Sequence, residues 1–493
     1  MPCGLVTEQN EERMVSPLVR QTWTMSAVLI NMFGQGMVLS YTSSLLPGLN
    51  HPDSPIKVDL NTGSWLGSIV GVSGIPGFLL SSVLMDHIGR KITHAVIILP
   101  GVVGWILIYF ANDVKTIMIG RFLGGLSSMG TVSLGAVVIG EYTCPKYRGV
   151  FLYLKNAAVC LGAMFTHILS RYLHWRTITL VGLVPVLLAL AIIYTWPESP
   201  AWLISRKQYD RSKKAFFWLR GESEASKKEL AETINAQKER MRARNRKIDF
   251  SYSIVDFFRK FTRKDFLKPL NIMILAALVL EMSGRHVFPA YAPLIMAAVT
   301  GDSTQSFYYT LALDVIITAA SLFASILVKL MSRRKLLFTT GFSAFGVLAL
   351  VCLNLFLTSQ DIIANRPLLS VSMLVIYFIF ANLGCAPIPL ALAGEVFPLA
   401  HRGVGSAVTG LWISICLIIG LKSTPHLIVS ITVSGFFAVY GLVMGASLLI
   451  LYFVMPETKD KTLQEIENFF NHGSFTVLVD NVVEETELEM IPK

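Results

Sequence analysis

Apolar segments of about 20 residues recur along almost the whole chain, with short polar stretches between them. A segment of this length crosses the roughly 30 Å apolar core of a bilayer. It is expected to be helical, because lipid offers backbone groups no other hydrogen-bond partner. The pattern predicts twelve spans. Their approximate limits are 22–46, 62–85, 92–111, 114–140, 150–172, 176–196, 270–298, 306–329, 336–357, 369–394, 404–422 and 430–454.

The longest polar stretch separates the sixth predicted span from the seventh. About 19 of the 42 Lys and Arg residues lie in it, between Arg206 and Lys268. Since Lys and Arg accumulate in cytoplasmic loops, we expect this stretch and both termini in the cytosol. The expected segments are a cytosolic N-terminus over 1–21, a six-helix bundle over 22–199, a cytosolic linker with short amphipathic helices over 200–268, a second six-helix bundle over 269–455 and a cytosolic tail over 456–493.

The composition agrees with a membrane protein and disfavours other classes. Charged residues make up 15% of the chain, whereas soluble domains carry about 25%. The lipid bilayer is therefore an expected partner. The formal net charge is +10, but the positive side chains cluster in alternate loops, so we expect no nucleic-acid binding. The six cysteines show no zinc spacing, and we expect no disulfide, metal or cofactor.

A spacing of charge occurs twice in the chain. Glu141 is followed seven positions later by Arg148, and Glu395 is followed seven positions later by Arg402. Both copies come directly after a long apolar segment, and a Gly follows each Arg. Duplicated units of this kind are typical of membrane transporters built from two similar halves.

Further motifs stand at the ends of other predicted spans. These are Asp86-His-Ile-Gly89-Arg90-Lys91, Pro197-Glu198-Ser199-Pro200 and Pro456-Glu457-Thr458-Lys459. Together with the repeated Glu and Arg pairs, they resemble the sugar porter subfamily of the major facilitator superfamily from about residue 22 to residue 467. Ser64-Trp65-Leu66-Gly67 and Tyr41-Thr42-Ser43 look most similar to insect facilitated trehalose and sugar transporters.

The resemblance implies a fold and a mode of action. The fold would be all-α, with the major facilitator arrangement of twelve transmembrane helices in two pseudo-symmetric six-helix halves. Such a protein carries a small solute by alternating access, and it is not an enzyme. We expect it to work as a monomer in the plasma membrane, with both termini cytosolic.

The motif charges predict a cytoplasmic gate, in which acidic and basic side chains pair across the halves when the inside is shut. Partly buried pairs suit this purpose, because their attraction is nearly balanced by desolvation. The expected members are Asp86, Gly89, Arg90, Glu141, Arg148, Glu198, Arg333, Arg334, Glu395, Arg402 and Glu457. The second copy has Lys329 and Ser332 where the family has an acid and a glycine. The gate contacts of the second copy are therefore either weaker or use Glu457 as the partner.

The substrate site departs from the sugar-porter pattern. The family's Gln-Gln-x-Ser-Gly-x-Asn in the seventh span reads here Leu280-Glu281-Met282-Ser283-Gly284-Arg285-His286. In the fifth span a family Gln is Asn156. In the tenth span, the Trp of the family's Pro-x-Pro-Trp is Leu390. The resemblance therefore supplies few of the amides and aromatic rings that bind sugars.

Charged residues replace the missing amides. Glu281 and Arg285 are four positions apart and would pair on one helical face, unless Gly284 and Pro289 unwind the helix there. Asp314 lies in the next span. Three roles stay open for this set, namely a structural pair, a substrate contact or proton coupling, since ionisable residues within a span are costly and usually functional. The expected substrate contacts are Asn156, Glu281, Ser283, Arg285, His286, Asp314 and Leu390.

The first span carries no carboxylate between Met25 and Leu46. Proton-driven sugar porters typically place one there, so the sequence favours facilitated diffusion of a sugar such as trehalose, a hexose or a related polyol. Two alternatives stay open. One is a transporter of a non-sugar solute, anionic or proton-coupled, held by Arg285 and His286. The other is a non-transporting sensor on the same scaffold.

Overall fold

The computed structural model describes residues 16–224, 226–231, 234–235, 264–302, 304–397, 402–459, 465–466 and 469–470. Helices, joined by turns and short loops, make up nearly all of this part of the chain. Most of the predicted N-terminus over 1–21, part of the predicted linker over 200–268 and most of the predicted tail over 456–493 lie outside the described residues.

In the described part of the first half and the segment after it, nine helices have defined limits. They are α1 (Pro17–Ser40), α2 (Thr42–Asn50), α3 (Leu60–Ile88), α4 (Arg90–Phe110), α5 (Val114–Tyr142), α6 (Pro145–Tyr172), α7 (Trp175–Thr195), α8 (Pro200–Ser205) and α9 (Tyr209–Arg220). Capping residues in the sequence explain where several of these helices begin. The carboxylates of Asp59 and Asp113 accept backbone N–H groups of Thr62 and Thr116 and so cap α3 and α5.

The second half contains seven α-helices and one π-helical segment. They are α10 (Lys264–Met282), α11 (Val287–Thr300), α12 (Ser306–Leu330), α13 (Arg333–Ser359), α14 (Pro367–Phe380), the π-helical segment Ala381–Cys385, α15 (Pro387–Glu395) and α16 (Arg402–Val454). Two prolines in the tenth span predict a kink there, and the π-helical segment interrupts the span at that place. Pro387 and Pro389 offer no backbone N–H, and Ala386 donates back to the carbonyl of Ala381 instead.

Two predicted span limits are wrong. The first span does not run unbroken to residue 46, because α1 ends at Ser40 and α2 begins at Thr42. The loop predicted between the eleventh and twelfth spans, over 423–429, is helical. The break in α16 falls instead at Ile431 and Thr432, where Thr432 has a φ of +65°. Within this segment the hydroxyl of Thr424 donates to the carbonyl of Gly420, four residues earlier.

The spans form two bundles that meet along two helix pairs. In the first bundle α3, α4 and α5 pack together, and α1 packs against α5, α6 and α7. In the second bundle α16 packs against α10 and α13, while α12 and α13 surround the π-helical segment. The bundles contact each other mainly where α3 meets α16 and where α6 meets α12. Ten helical stretches of the described chain are long and apolar enough to cross a membrane, including one of 48 residues over Ala407–Val454 that contains the break.

Candidate functional site

The seventh span is interrupted in its middle. Helix α10 ends at Met282, α11 begins at Val287, and a turn joins them. Gly284 in this turn has a φ of +80°, which only glycine adopts without strain. The helix is therefore unwound at Gly284, which is the alternative that the sequence left open. The turn leaves side chains and backbone groups free to face the space between the halves.

A cavity lies beside this turn, between the two bundles. Its empty space is about 560 Å³ with the open mouth included. It is narrow, with an enclosed volume of about 30 Å³. Both halves supply the lining, with Gly36, Leu39, Val159, Cys160 and Ala163 from the first and Ser283, Arg285, His286, Asp314, Phe378 and Asn382 among those from the second.

Glu281 pairs with His286 rather than with Arg285. Nδ1 of His286 lies 2.9 Å from Oε2 and 3.0 Å from Oε1 of the buried Glu281 carboxylate. The predicted pair between Glu281 and Arg285 is wrong, because α10 ends between them and the two side chains no longer share a helical face. The pair belongs wholly to the second half.

Arg285 reaches across the cavity to the first half. Its Nη2 donates to Oδ1 of Asn156, and its Nη1 lies 3.5 Å from the sulfur of Cys160. Both partners are on α6. The hydrogen bonds described for this guanidinium therefore go to neutral groups and bind the two halves together at the cavity.

A second contact between the halves joins His167 of α6 to Asp314 of α12. Nδ1 of His167 lies 2.6 Å from Oδ2 of Asp314, and both side chains are buried. The other ring nitrogen, Nε2, lies 2.9 Å from the carbonyl oxygen of Pro289. Sequence reasoning missed His167. The same argument that singled out Glu281, an ionisable residue inside an apolar span, would have found it.

Two other predicted contacts have different outcomes. Ser283 is buried and lines the cavity, with its hydroxyl donating to the carbonyl of Leu280. Leu390 lies on α15, does not line the cavity and is 49% exposed. Asn382, which the sequence analysis overlooked, lines the cavity from the π-helical segment and donates to the carbonyl of Phe378.

A buried cation lies in the first half, and its described partners are all neutral. Arg121 is 2% exposed. Its guanidinium donates to the carbonyls of Val38 and Leu66 at 2.6 and 3.2 Å, and to the hydroxyl of Thr42 at 2.7 Å. These groups belong to α1, α2 and α3. The first two spans therefore satisfy this cation with neutral oxygens.

The turn before α4 holds the first set of motif charges. Nε and Nη2 of Arg90 donate to the two carboxylate oxygens of Glu141 at 2.9 and 2.7 Å. Glu198 accepts the backbone N–H groups of Arg90 and Lys91, at the N-terminus of α4, where a negative charge is favourable. Ser199 donates to Glu141 and completes the cluster.

The turn before α13 repeats this arrangement in the second half. Glu457 accepts the backbone N–H groups of Arg333 and Arg334 at 3.0 Å each. Burial raises the pKa of Glu457, but these bonds and the N–H of Lys459 outweigh burial and hold the pKa below its usual value. Glu457 is therefore the partner of the second turn, one of the two options that the sequence left open.

The described contacts of the predicted gate lie within a half rather than between halves. Arg148 donates to the carbonyl of Gly140, and the carbonyl of Asp86 accepts from Arg206. Gly89 has a φ of +92° at the turn into α4. The side chains of Lys329, Glu395 and Arg402 lie outside the described part of the chain. The expected pairing across the halves is not seen among the described members.

Comparisons with known proteins place the chain among transporters. Residues 26–470 match the family model for "sugar (and other) transporter". Facilitated trehalose transporters Tret1 from Polypedilum vanderplanki and Aedes aegypti are each 27% identical, over 459 and 460 residues, and each match covers 92% of this chain. The chain spans 88% of the first relative and 55% of the second.

Solved structures share the fold. The proton:xylose symporter XylE bound to 6-bromo-6-deoxy-D-glucose matches with a TM-score of 0.74 at 16% identity, over 92% of this chain and 100% of that chain. Inward-open XylE from E. coli matches with a TM-score of 0.73 at 16% identity, over 91% and 99% of the two chains. The predicted fold of twelve membrane helices in two six-helix halves is confirmed.

Proposed function

The chain belongs to the sugar (and other) transporter family, and from this premise we propose that it carries trehalose, a hexose or a related polyol by facilitated diffusion. It is a multi-pass membrane protein with the major facilitator fold. The proteins most similar to it in sequence are transporters. We expect no covalent chemistry from it, only a change in which face of the membrane the central cavity opens to.

The observation that carries this proposal is the cavity at the break in the seventh span, in whose mostly apolar lining a few ionisable and amide groups converge. It lies between the halves, where transporters of this architecture bind their solutes near the middle of the membrane. Arg285, His286, Asp314 and Asn382 line it. A sugar hydroxyl both donates and accepts hydrogen bonds, so cationic, anionic and amide groups together suit a solute with many hydroxyls.

The cavity is too narrow to admit a sugar while Arg285 spans it. We infer that Arg285 releases Asn156 when the solute enters, so that both side chains turn their hydrogen bonds to hydroxyl groups. Asn156 stands where the family has a glutamine, and its amide is the nearest replacement for that group. Ser283 lines the cavity, and Glu281 supports the site from behind through His286.

Facilitated diffusion is favoured by how the buried charges are satisfied. Helix α1 contains no Asp or Glu, and Arg121 is held by neutral oxygens. Glu281 and Asp314 each have a histidine partner within 3.0 Å. Neither carboxylate belongs to the first span, where proton-driven sugar porters typically carry one.

The motif turns would act at the cytoplasmic end of the molecule. We propose that Arg90 with Glu141 and Glu198, and Arg333 and Arg334 with Glu457, make each half rigid there. Residues 22–199 and 269–455 would then move as two bodies. Asp86, Arg148, Glu395 and Arg402 complete the proposed gate, in a plasma-membrane protein whose termini are cytosolic and which works as a monomer.

One observation favours a second candidate, an anionic solute. The hydrogen bonds described for Arg285 go to Asn156 and Cys160, not to a carboxylate. Its positive charge is thus available to a carboxylate or phosphate on the solute. His286 lines the same cavity and would add to this attraction when protonated.

Uptake by the purified protein in lipid vesicles separates the candidates. Radiolabelled trehalose, glucose and gluconate are offered one at a time. We expect saturable entry of trehalose or glucose and no entry of gluconate. Entry of gluconate alone, abolished by Arg285→Gln, would establish the anionic solute instead. Arg211→Gln is the control, since Arg211 is exposed and bonds only Gln208 among the described contacts. Sugar binding without any uptake would indicate a sensor.

A further inference from the structure

The sequence Ser64-Trp65-Leu66-Gly67 lies at the start of α3, at the end of the bundle opposite the turns of Arg90 and Arg333. Each of its four residues makes a specific contact. Ser64 and Trp65 contact Lys422, the carbonyl of Leu66 accepts from Arg121, and Gly67 faces Tyr291. Three of these contacts cross from the first half to the second. We call this set, with Asn61 and Lys422, the α3 latch.

Lys422 of α16 is the centre of the latch. Its Nζ donates to the carbonyl oxygen of Asn61 at 3.1 Å, to Oδ1 of Asn61 at 2.6 Å and to Oγ of Ser64 at 2.8 Å. An ammonium group has three N–H donors, so all of them are used by the opposite half. The ammonium also lies 4.4 Å from the ring centroid of Trp65, which is a favourable cation–π distance.

The backbones of α3 and α16 approach closely below Lys422. A Cβ atom on Gly67 would lie 2.2 Å from the hydroxyl oxygen of Tyr291, and one on Gly71 would lie 2.8 Å from Cγ1 of Ile418. The hydroxyl of Tyr291 donates to the carbonyl of Leu421 at 2.9 Å. A side chain on either glycine would hold the halves apart. This end of the molecule is therefore shaped to close.

Arg121 fixes the α3 side of the latch. It ties the carbonyl of Leu66 to Val38 and Thr42 of the first two helices. The residues that bind Lys422 therefore lie on a rigid surface. A latch needs this, because the hydrogen bonds of Lys422 align only if its acceptors keep their positions.

The hydrogen bonds that the structure describes between the halves lie around the cavity and at the latch. His426, one turn beyond Lys422, adds one more, with Nε2 3.1 Å from Oγ of Ser64. At the end that carries Arg90 and Arg333, the described motif bonds stay within a half. The molecule is thus held together at one end.

We propose that the contacts of Lys422 with Asn61, Ser64 and Trp65 keep this end of the cavity shut. The solute enters from this side when these contacts break. The proposal rests on the proposed function only in taking this end to face outward. It assigns a role to the Ser64-Trp65-Leu66-Gly67 sequence, which the substrate cavity does not use.

The accessibility of Cys160 tests the latch, because this cysteine lines the cavity beyond it and is 8% exposed. Intact cells that produce the protein are treated from outside with a membrane-impermeant methanethiosulfonate, and modification of Cys160 is measured by peptide mapping. Lys422→Met should raise the modification rate at least tenfold, because it removes three hydrogen bonds from a charged group and the loss of one such bond already has about that effect. Trp65→Leu should raise it less, because the hydrogen bonds remain.

Lys57→Met is the matched control. Lys57 lies at the same end, but its ammonium bonds the carbonyls of His51 and Pro52 within its own loop. It should leave the rate at the wild-type value. Rates for Lys422→Met and Trp65→Leu equal to that of Lys57→Met, in protein that elutes as a single folded species, would overturn the proposal. Because the assay measures opening rather than transport, a protein that opens but carries no sugar would contradict only the proposed function.

Discussion

Four side chains, three of them buried, decide how the cavity behaves at the scale of single residues. His167 and Asp314 form a pair between the halves, and Glu281 and His286 form a pair within one half. Breaking a buried pair by removing one partner leaves an uncompensated charge, which costs about 3–5 kcal/mol. The pair between the halves must separate or rearrange when the cavity opens. Its energy therefore contributes to the balance between the two faces.

Replacement of His167 by Asn should destabilise the protein more than the double replacement His167→Asn with Asp314→Asn. The single variant leaves the Asp314 carboxylate buried without its partner, whereas the double variant leaves two neutral amides. Thermal unfolding of the purified protein in detergent measures the difference. We expect a clear loss of melting temperature for the single variant and partial recovery in the double.

His87→Asn is the control for that comparison, since His87 is exposed at the end of α3. Its melting temperature should match the wild type. Two results would show that the pair carries no coupled charge. One is a His167→Asn protein with the same melting temperature as this control. The other is a double variant whose melting temperature falls by as much as those of the two single variants together.

Residue identities were read more reliably from the sequence than their pairings. The charges at Glu281, Arg285 and Asp314 could be seen as unusual within apolar spans, and the structure places Arg285 and Asp314 at the cavity. The pairing of Glu281 with Arg285 assumed a continuous helix, and the break at Gly284 removes that assumption. The partner of Asp314 comes from a distant helix, α6, which no local spacing rule can identify.

At the scale of elements, the breaks in the helices matter more than their lengths. The turn at Gly284, the π-helical segment before Pro387 and the break at Thr432 each interrupt a span. Gly and Pro made the first two predictable. The third was misplaced at 423–429, because the contacts of Lys422 with α3 that hold this segment are not visible in the sequence.

Gly284→Ala should impair both stability and transport. A left-handed backbone costs a residue with a side chain about 1–2 kcal/mol, while the added Cβ would meet Phe378 only at an ordinary contact distance of 3.6 Å. Strain rather than collision is thus the expected cause. The initial rate of sugar uptake and the melting temperature are measured together, and both should fall.

Gly346→Ala provides the comparison. Gly346 lies within α13, and a Cβ there would have no neighbour within 4 Å. Since alanine favours helix over glycine, this variant should keep its activity and melt at or above the wild-type temperature. If Gly284→Ala behaves in the same way, the turn does not depend on glycine.

The whole molecule is a duplicated unit, and the duplication extends to atomic contacts. Glu198 and Glu457 each accept the first backbone N–H groups of the third span in their half. Arg90 and Arg333 each donate to a carbonyl five residues earlier, those of Met85 and Val328. The sequence predicted this correspondence from the spacing of its motifs. It could not predict which end of the cavity is closed, because that depends on contacts between residues far apart in the chain.

The energetics of transport follow from the same picture at this scale. If no proton moves with the solute, the protein only exchanges two orientations of one cavity, and the sugar reaches equal concentrations on both sides. Proton coupling through Glu281 or Asp314 would prevent equal concentrations. Each of these carboxylates is next to a histidine. Uncoupled transport requires that neither pair exchange protons with the two sides during the cycle.

The measurement that tests this account most directly is the final level of radiolabelled trehalose or glucose inside vesicles that contain the purified protein, with a proton gradient imposed in either direction. The account predicts saturable entry that ends at the outside concentration whether or not the gradient is present. Accumulation above the outside concentration, driven by the gradient and lost in Glu281→Gln, would contradict it.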